Sequence, residues 1–109
     1  DLYIAHNDTL TRLDGLSGLT SVGNLHIAYN DALTSLDGLS GVISVGDYLA
    51  IYDNGALASL DGLSGLTSVG GGLTITDNVC LSQGEAELFA TSIGVGGDVT
   101  VEDNGGACD

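Results

Sequence analysis

The chain has 109 residues, enough for one domain, and 15 of them are Asp or Glu against a single Lys or Arg. The formal net charge of -14 excludes nucleic acid and anionic membranes as partners, because both would repel the chain. Apolar residues make up 43% of the sequence, which has 18 glycines, one Phe and no Trp, Met or Pro. We therefore expect a core of regular Leu, Val, Ile and Ala rows in a chain that turns often.

A short phrase recurs along the chain and always ends in asparagine. The phrases read LYIAHN, LHIAYN, LAIYDN, LTITDN and VTVEDN, and their starts are separated by 23, 24, 24 and 26 residues. Self-similarity at this period is typical of solenoids. The sequence therefore predicts a single repeat domain over 1–109. Its predicted parts are repeats at 2–24, 25–48, 49–72 and 73–98, and a capping strand at 99–109.

Within each repeat, a strand pattern is followed by a turning pattern. Leu25 and Ile27 alternate with His26 and Ala28, which predicts a short, half-buried strand. Apolar residues then recur at every third position, namely Leu33, Leu36, Leu39, Val42 and Val45. This spacing predicts a right-handed coil of about five turns, whose equivalent strands lie side by side in one parallel sheet.

The asparagine that ends each phrase is expected to lie inside the coil, after the strand. There its amide can bond free backbone groups of its own turn and of the next, so that no buried polar group lacks a partner. The predicted structural ladder consists of Asn7, Asn30, Asn54, Asn78 and Asn104.

The phrases LTSVGGGLTITDN, LDGL and SVG resemble the leucine-rich repeats of receptor L-domains and their bacterial surface relatives. The resemblance covers about residues 2–78. It implies an extracellular or cell-surface protein with a binding or structural role and no catalytic activity.

The fourth repeat departs from the pattern near its two cysteines. Ser82 and Glu85 form a capping-box signature, and apolar residues follow it at helical spacing, so a short helix is predicted here. An even cysteine count favours a disulfide between Cys80 and Cys108 that locks the C-terminal cap. Two free thiols are the alternative.

The outward face of the predicted sheet offers two candidate binding regions. Its aromatic half could bind a glycan or a protein, although such residues are also ordinary strand formers on a solvated face. The candidate binding residues are Tyr3, His26, Tyr29 and Tyr52. The acidic half stacks Asp53, Asp77 and Asp103, and Ca²⁺ is the candidate cofactor that would offset their repulsion. The alternative is that salt screens these carboxylates.

The ends of the predicted coil are candidate assembly edges. The chain starts at Asp1, directly before a repeat strand, which we interpret as a processed chain or as a fragment of a longer solenoid. An exposed strand edge is a template for pairing, and a head-to-tail contact that does not close gives a filament. The expected edge residues are Leu2, Ile4, Val99 and Val101.

Catalytic motifs are not evident in the sequence. It lacks a nucleophile elbow, a phosphate-binding loop and a dinucleotide fingerprint. No stretch has the length of a membrane span. The first hypothesis is a secreted or surface-displayed structural module that self-associates end to end into a fibre. The alternative is a monomeric recognition or adhesion module that uses the outward face of its sheet.

Overall fold

The structure, a computed structural model, describes residues 2–7, 9–11, 13, 16 and 18–105. Within these ranges the chain is mostly β, with parallel strands in two sheets and one α-helix towards the C-terminus. The helix confirms the prediction from the sequence. The prediction of one parallel sheet was wrong, because a second sheet is present.

The larger sheet is built from the recurring phrases. Its strands have four residues each: Leu2–Ala5 (β1), Leu25–Ala28 (β3), Leu49–Tyr52 (β5), Leu73–Thr76 (β7) and Val99–Glu102 (β9). They lie in that order, and every neighbouring pair is parallel. Because the first residue of each phrase pairs with the first residue of the next, each position forms a column across the sheet.

The second sheet consists of two-residue strands. They are Ser21–Val22 (β2), Ser44–Val45 (β4), Ser68–Val69 (β6) and Gly94–Val95 (β8), and they pair in parallel in this order. The sequence did not reveal them because two residues are too few to show the alternation of a strand. In the sequence, their valines only ended the apolar pattern of the turning segments.

Apolar side chains from the strands and turning segments form the core. Leu25 and Ile27 of β3 are fully buried, as are Leu33, Leu36 and Leu39 of the segment that follows. The middle of that segment is a 3-10 turn at Asp37–Leu39, and the next repeat has the equivalent turn at Asp61–Leu63. The third-residue spacing thus matches a bent segment that buries one side chain per bend.

Neighbouring repeats approach each other closely along the second sheet. The N–H of Gly70 donates to the carbonyl of Val45 at 2.9 Å. A Cβ atom on Gly70 would overlap the carbonyl oxygen of Gly46, and one on Gly96 would overlap that of Gly70. Glycine is therefore required here by lack of space between the two backbones.

The phrase-ending asparagines form a hydrogen-bonded row. The backbone N–H and the Nδ2 of Asn54 both donate to Oδ1 of Asn78, at 3.1 and 3.2 Å. The same Nδ2 donates to the carbonyl of Ile27 at 3.0 Å. The pattern of amide-to-amide bonds also joins Asn7 to Asn30, Asn30 to Asn54 and Asn78 to Asn104. Each buried amide thereby has partners on two sides.

The helix, Gln83–Ser92 (α1), takes the place in its repeat that the 3-10 turns have in the two before it. Ser82 caps it by accepting from the N–H of Glu85 at 3.3 Å, and Ala86 and Ala90 face the core. Cys80 is disulfide-bonded, while its predicted partner Cys108 lies outside the described residues. None of the helices in the described ranges is long and apolar enough to cross a membrane.

Candidate functional site

The register of the larger sheet places the predicted face residues in outward columns. Tyr3 pairs with His26, and His26 pairs with Ala50. Ala28 pairs with Tyr52 in the next column. The N-terminal part of the face therefore carries aromatic rings close together, and the C-terminal part carries Thr and Glu residues instead.

The residue before each ladder asparagine has a left-handed backbone. The φ angles are 60° at His6, 56° at Tyr29, 55° at Asp53, 58° at Asp77 and 59° at Asp103. Non-glycine residues rarely adopt this conformation, although Asp and His tolerate it better than bulky residues do. The chain therefore turns sharply at the end of each strand, directly before the buried asparagine. Asp or His before Asn was the available sequence signal for this turn in four of the five phrases, and Tyr29 is the exception.

Six side chains form what we call the aromatic cluster: Tyr3, His6, His26, Tyr29, Tyr48 and Tyr52. Two pairs are stacked, Tyr3 on His26 with 4.4 Å between ring centroids and His6 on Tyr29 with 4.8 Å. Tyr52 meets His26 and Tyr29 edge to face at 5.1 and 5.4 Å. Such contacts hold aromatic rings in defined positions.

Tyr48 belongs to the cluster but was not among the predicted binding residues. It precedes β5, and its ring lies edge-on to His26 at 5.9 Å. Its backbone N–H donates to Oδ1 of Asn24 at 3.3 Å. Its place just outside the strand pattern is the reason that the outward columns did not include it.

The aromatic cluster covers part of the larger sheet, and some of its own rings are exposed to solvent. Beneath the rings, Ala28 and Ala50 are buried although they lie on the outward face. Tyr3 is 64% exposed and Tyr29 is 42% exposed. Tyr48 is also exposed, at 39%, so the cluster is a small apolar layer of its own with three tyrosines that reach solvent.

His26 is the polar centre of this layer. Its Nε2 lies 2.6 Å from the hydroxyl of Tyr52, while its buried Nδ1 has no hydrogen-bond partner among the residues that the structure describes. Burial lowers the pKa of His26 below its ordinary value of 6.5. Burial, followed by the proximity of Tyr3 and Tyr29, raises the pKa of Tyr52. Both side chains are thus neutral at neutral pH.

The candidate calcium residues follow three neighbouring strands of the sheet. Burial and then the charge of Asp77 raise the pKa of Asp53, and a hydrogen bond from Tyr29 acts in the opposite direction. Across the described ranges, no group of three or more acidic, His or Cys side chains is placed to hold a metal ion. Calcium binding at Asp53, Asp77 and Asp103 stays a prediction, which calorimetry with Ca²⁺ and with a chelator would test.

The two edge strands of the larger sheet differ in how the asparagine row ends. Beyond β9, the side-chain oxygen of Gln83 accepts from the backbone N–H and the Nδ2 of Asn104, both at 3.1 Å. Its Nε2 donates to the carbonyl of Val101 at 2.8 Å. At the β1 edge, Asn7 is exposed. Gln83 therefore occupies the position that the asparagine of a further repeat would take.

The predicted assembly residues lie on the two edge strands. Ile4 is nearly buried in the core and Leu2 is partly buried, whereas Val99 is exposed and Val101 is partly buried. Gln83 was seen in the sequence only as part of a helix start. Its role at the end of the row depends on the fold, which brings α1 against β9.

Comparison with known proteins gives no relative. No protein-family model, no curated protein and no solved structure matches the chain.

Proposed function

We propose that the chain is a leucine-rich-repeat-like solenoid, a right-handed coil of about five turns, that acts as a non-enzymatic recognition module. Its setting is a cell surface or the extracellular space, and its partner is a basic protein. Parallel strands in two sheets and the asparagine row support the repeat architecture. The disulfide at Cys80 supports an oxidising environment.

The observation that carries this proposal is the aromatic cluster. Tyrosine contributes a large contact area at little entropic cost, which is why it is enriched among the residues that dominate binding energy. The ring contacts keep Tyr3 and Tyr29 in place before a partner arrives, so that less ordering is needed on binding.

The geometry favours a protein over a glycan. In both stacked pairs, each ring already covers one face of the other, which leaves less free ring face for a sugar. The hydroxyls and ring edges that are left suit the mixed side chains of a protein surface. A net charge of -14 would speed association with a basic partner.

A random peptide display library tests this proposal. Peptides are selected on the wild-type protein and then rescreened on a double variant, Tyr3→Ser with Tyr29→Ser. Because both tyrosines are exposed, the variant should fold normally, which circular dichroism checks. We expect enriched peptides to be rich in Lys and Arg and to lose binding to the variant.

The matched control is Thr74→Ala with Thr100→Ala, in the same outward column as Tyr3. This variant should keep the selected peptides. Selected peptides that bind the tyrosine variant as well as the wild type would contradict the proposal. Binding of sugars on a glycan array that is lost in the tyrosine variant would indicate that the partner is a glycan and not a protein.

End-to-end stacking into a fibre is a second proposal. It is favoured by the equal length and parallel register of the edge strands β1 and β9, which match each other as neighbouring strands do. A strand added to β9 would bring an asparagine to the position that Gln83 occupies. Stacking therefore requires Gln83 to move, and for this reason it ranks below recognition.

A further inference from the structure

A groove lies between α1 and the 3-10 turn of the preceding repeat, and its volume is about 340 Å³. Its origin is a mismatch of widths. Neighbouring strands lie about 4.8 Å apart, whereas a helix with its side chains is about 10 Å across. Because α1 replaces a turn, it cannot pack against Asp61–Leu63 as closely as that turn packs against Asp37–Leu39.

The interior of the groove is apolar. Leu60 is buried at its base, Phe89 is partly buried, and Leu88 lines it while being 71% exposed. A leucine this exposed leaves apolar surface in water. The volume falls in the range of small binding sites and suits one or two apolar side chains.

The accessible rim of the groove is acidic and hydroxylated. Asp61 stands on the turn and Glu85 on the first turn of α1, and both are exposed. Ser64 and Ser92 complete the lining. Two carboxylates around an apolar interior complement an apolar group that carries positive charge beside it.

We infer that this groove binds a short peptide segment in which leucine or another large apolar side chain is flanked by Lys or Arg. The apolar side chain enters between Leu60, Leu88 and Phe89, and the cations meet Asp61 and Glu85. A second copy of the chain is a poor occupant, because it has one Lys or Arg in 109 residues and a net charge of -14. The partner is therefore a different, basic protein. This inference does not rest on the aromatic cluster.

Calorimetric titration with three synthetic hexapeptides tests the inference. The first is acetyl-Lys-Lys-Leu-Leu-Lys-Lys-amide, the second has Ser in place of Leu, and the third has Glu in place of Lys. We expect the first to bind and the other two to give no measurable heat. Binding by the Ser peptide as strong as by the Leu peptide would overturn the inference, since charge alone would then explain it.

Variants locate the binding. Leu88→Ser should raise the Kd for the Leu peptide by about tenfold or more, which is the loss of affinity expected when a buried leucine contact is removed. The double variant Asp61→Asn with Glu85→Gln should raise this Kd by a similar factor. The matched controls are Ile43→Ser, another exposed apolar residue, and Asp98→Asn with Glu102→Gln, which removes the same charge elsewhere. Both controls should bind as the wild type does.

Two results would contradict the groove as the site. One is unchanged binding in Leu88→Ser. The other is loss of binding in the Tyr3→Ser, Tyr29→Ser variant, which would move the peptide to the aromatic cluster. Leu88 is mostly solvent-exposed, so that Leu88→Ser should melt at the wild-type temperature, and a loss of binding would not reflect unfolding.

Discussion

Gln83 accepts hydrogen bonds from Asn104 in the same way that each ladder asparagine accepts them from the one before it. In both cases a side-chain oxygen accepts from the backbone N–H and from the Nδ2 of the same asparagine, at 3.1 Å for Gln83 and near that distance elsewhere. The donor of Gln83 also bonds a strand carbonyl, as the asparagine donors do. A residue of α1 therefore completes the row that the strands begin.

Gln83→Ala should destabilise the protein and expose the β9 edge. The change leaves the Nδ2 of Asn104 without that acceptor and the carbonyl of Val101 without that donor. We expect a loss of about 1–3 kcal/mol in the free energy of unfolding, measured by urea denaturation. If stacking is limited by this residue, light scattering should also show concentration-dependent association of the variant.

Glu87→Ala is the control, because Glu87 is exposed on the same helix and bonds only Gln83 among the hydrogen bonds described. It should lose less than about 0.5 kcal/mol. Equal losses in the two variants would mean that Gln83 contributes through the helix and not through the row. Association of the wild type under the same conditions would mean that Gln83 does not block growth.

The position of an asparagine within the row should determine how much it contributes to the free energy of unfolding. Asn54→Ala removes the acceptor for Asn30 and the donor to Ile27 in a fully buried site. We expect a loss of about 2–4 kcal/mol, measured by urea denaturation. Asn7→Ala, at the exposed end, should lose less than half as much. Similar losses would indicate that burial of the amide is not what makes the row stabilising.

Periodicity made much of this fold predictable. Repeated phrases of equal length predict parallel register, and Ser82 with Glu85 predicts the start of α1. The second sheet was not predictable in this way, because strands of two residues show no alternation of apolar and polar positions. The left-handed residues were not predictable either, because residue type alone does not determine φ. The groove beside Leu88 follows from the width of a helix set among strands, a packing effect between distant segments.

Acid should weaken the aromatic cluster through His26. Its pKa is lowered by burial, so the unfolded chain binds the proton more readily than the folded one. This contribution to stability is present above pH 6.5 and is lost as the pH falls through 6.5 and then through the lower folded-state pKa. We therefore expect the melting temperature to fall between pH 7.5 and about pH 5.5.

His26→Phe is the matched variant, since it keeps an aromatic ring against Tyr3, Tyr48 and Tyr52 and cannot titrate. The variant should show a smaller change in melting temperature over the range than the wild type. His6→Phe, which replaces the other histidine of the cluster, is the control, and a change as large as that of His26→Phe would show that the effect is not specific to His26. Equal pH dependence in the wild type and His26→Phe would contradict the role of His26.

Asp53→Asn should stabilise the protein at neutral pH. Burial and Asp77 raise the pKa of Asp53, so its charged form is disfavoured in the folded state, and Asn also tolerates the left-handed φ of 55°. The gain should be about 0.2–1 kcal/mol, the range for a like-charged cross-strand pair. Because the raised pKa favours the protonated form, the gain should shrink as the pH falls below the folded-state pKa and largely vanish near pH 3.

Urea denaturation at pH 7 and pH 3 measures this gain, with the exposed Asp37→Asn as the control for net charge. A gain in Asp37→Asn as large as in Asp53→Asn would show that overall repulsion, and not the contact with Asp77, sets the effect.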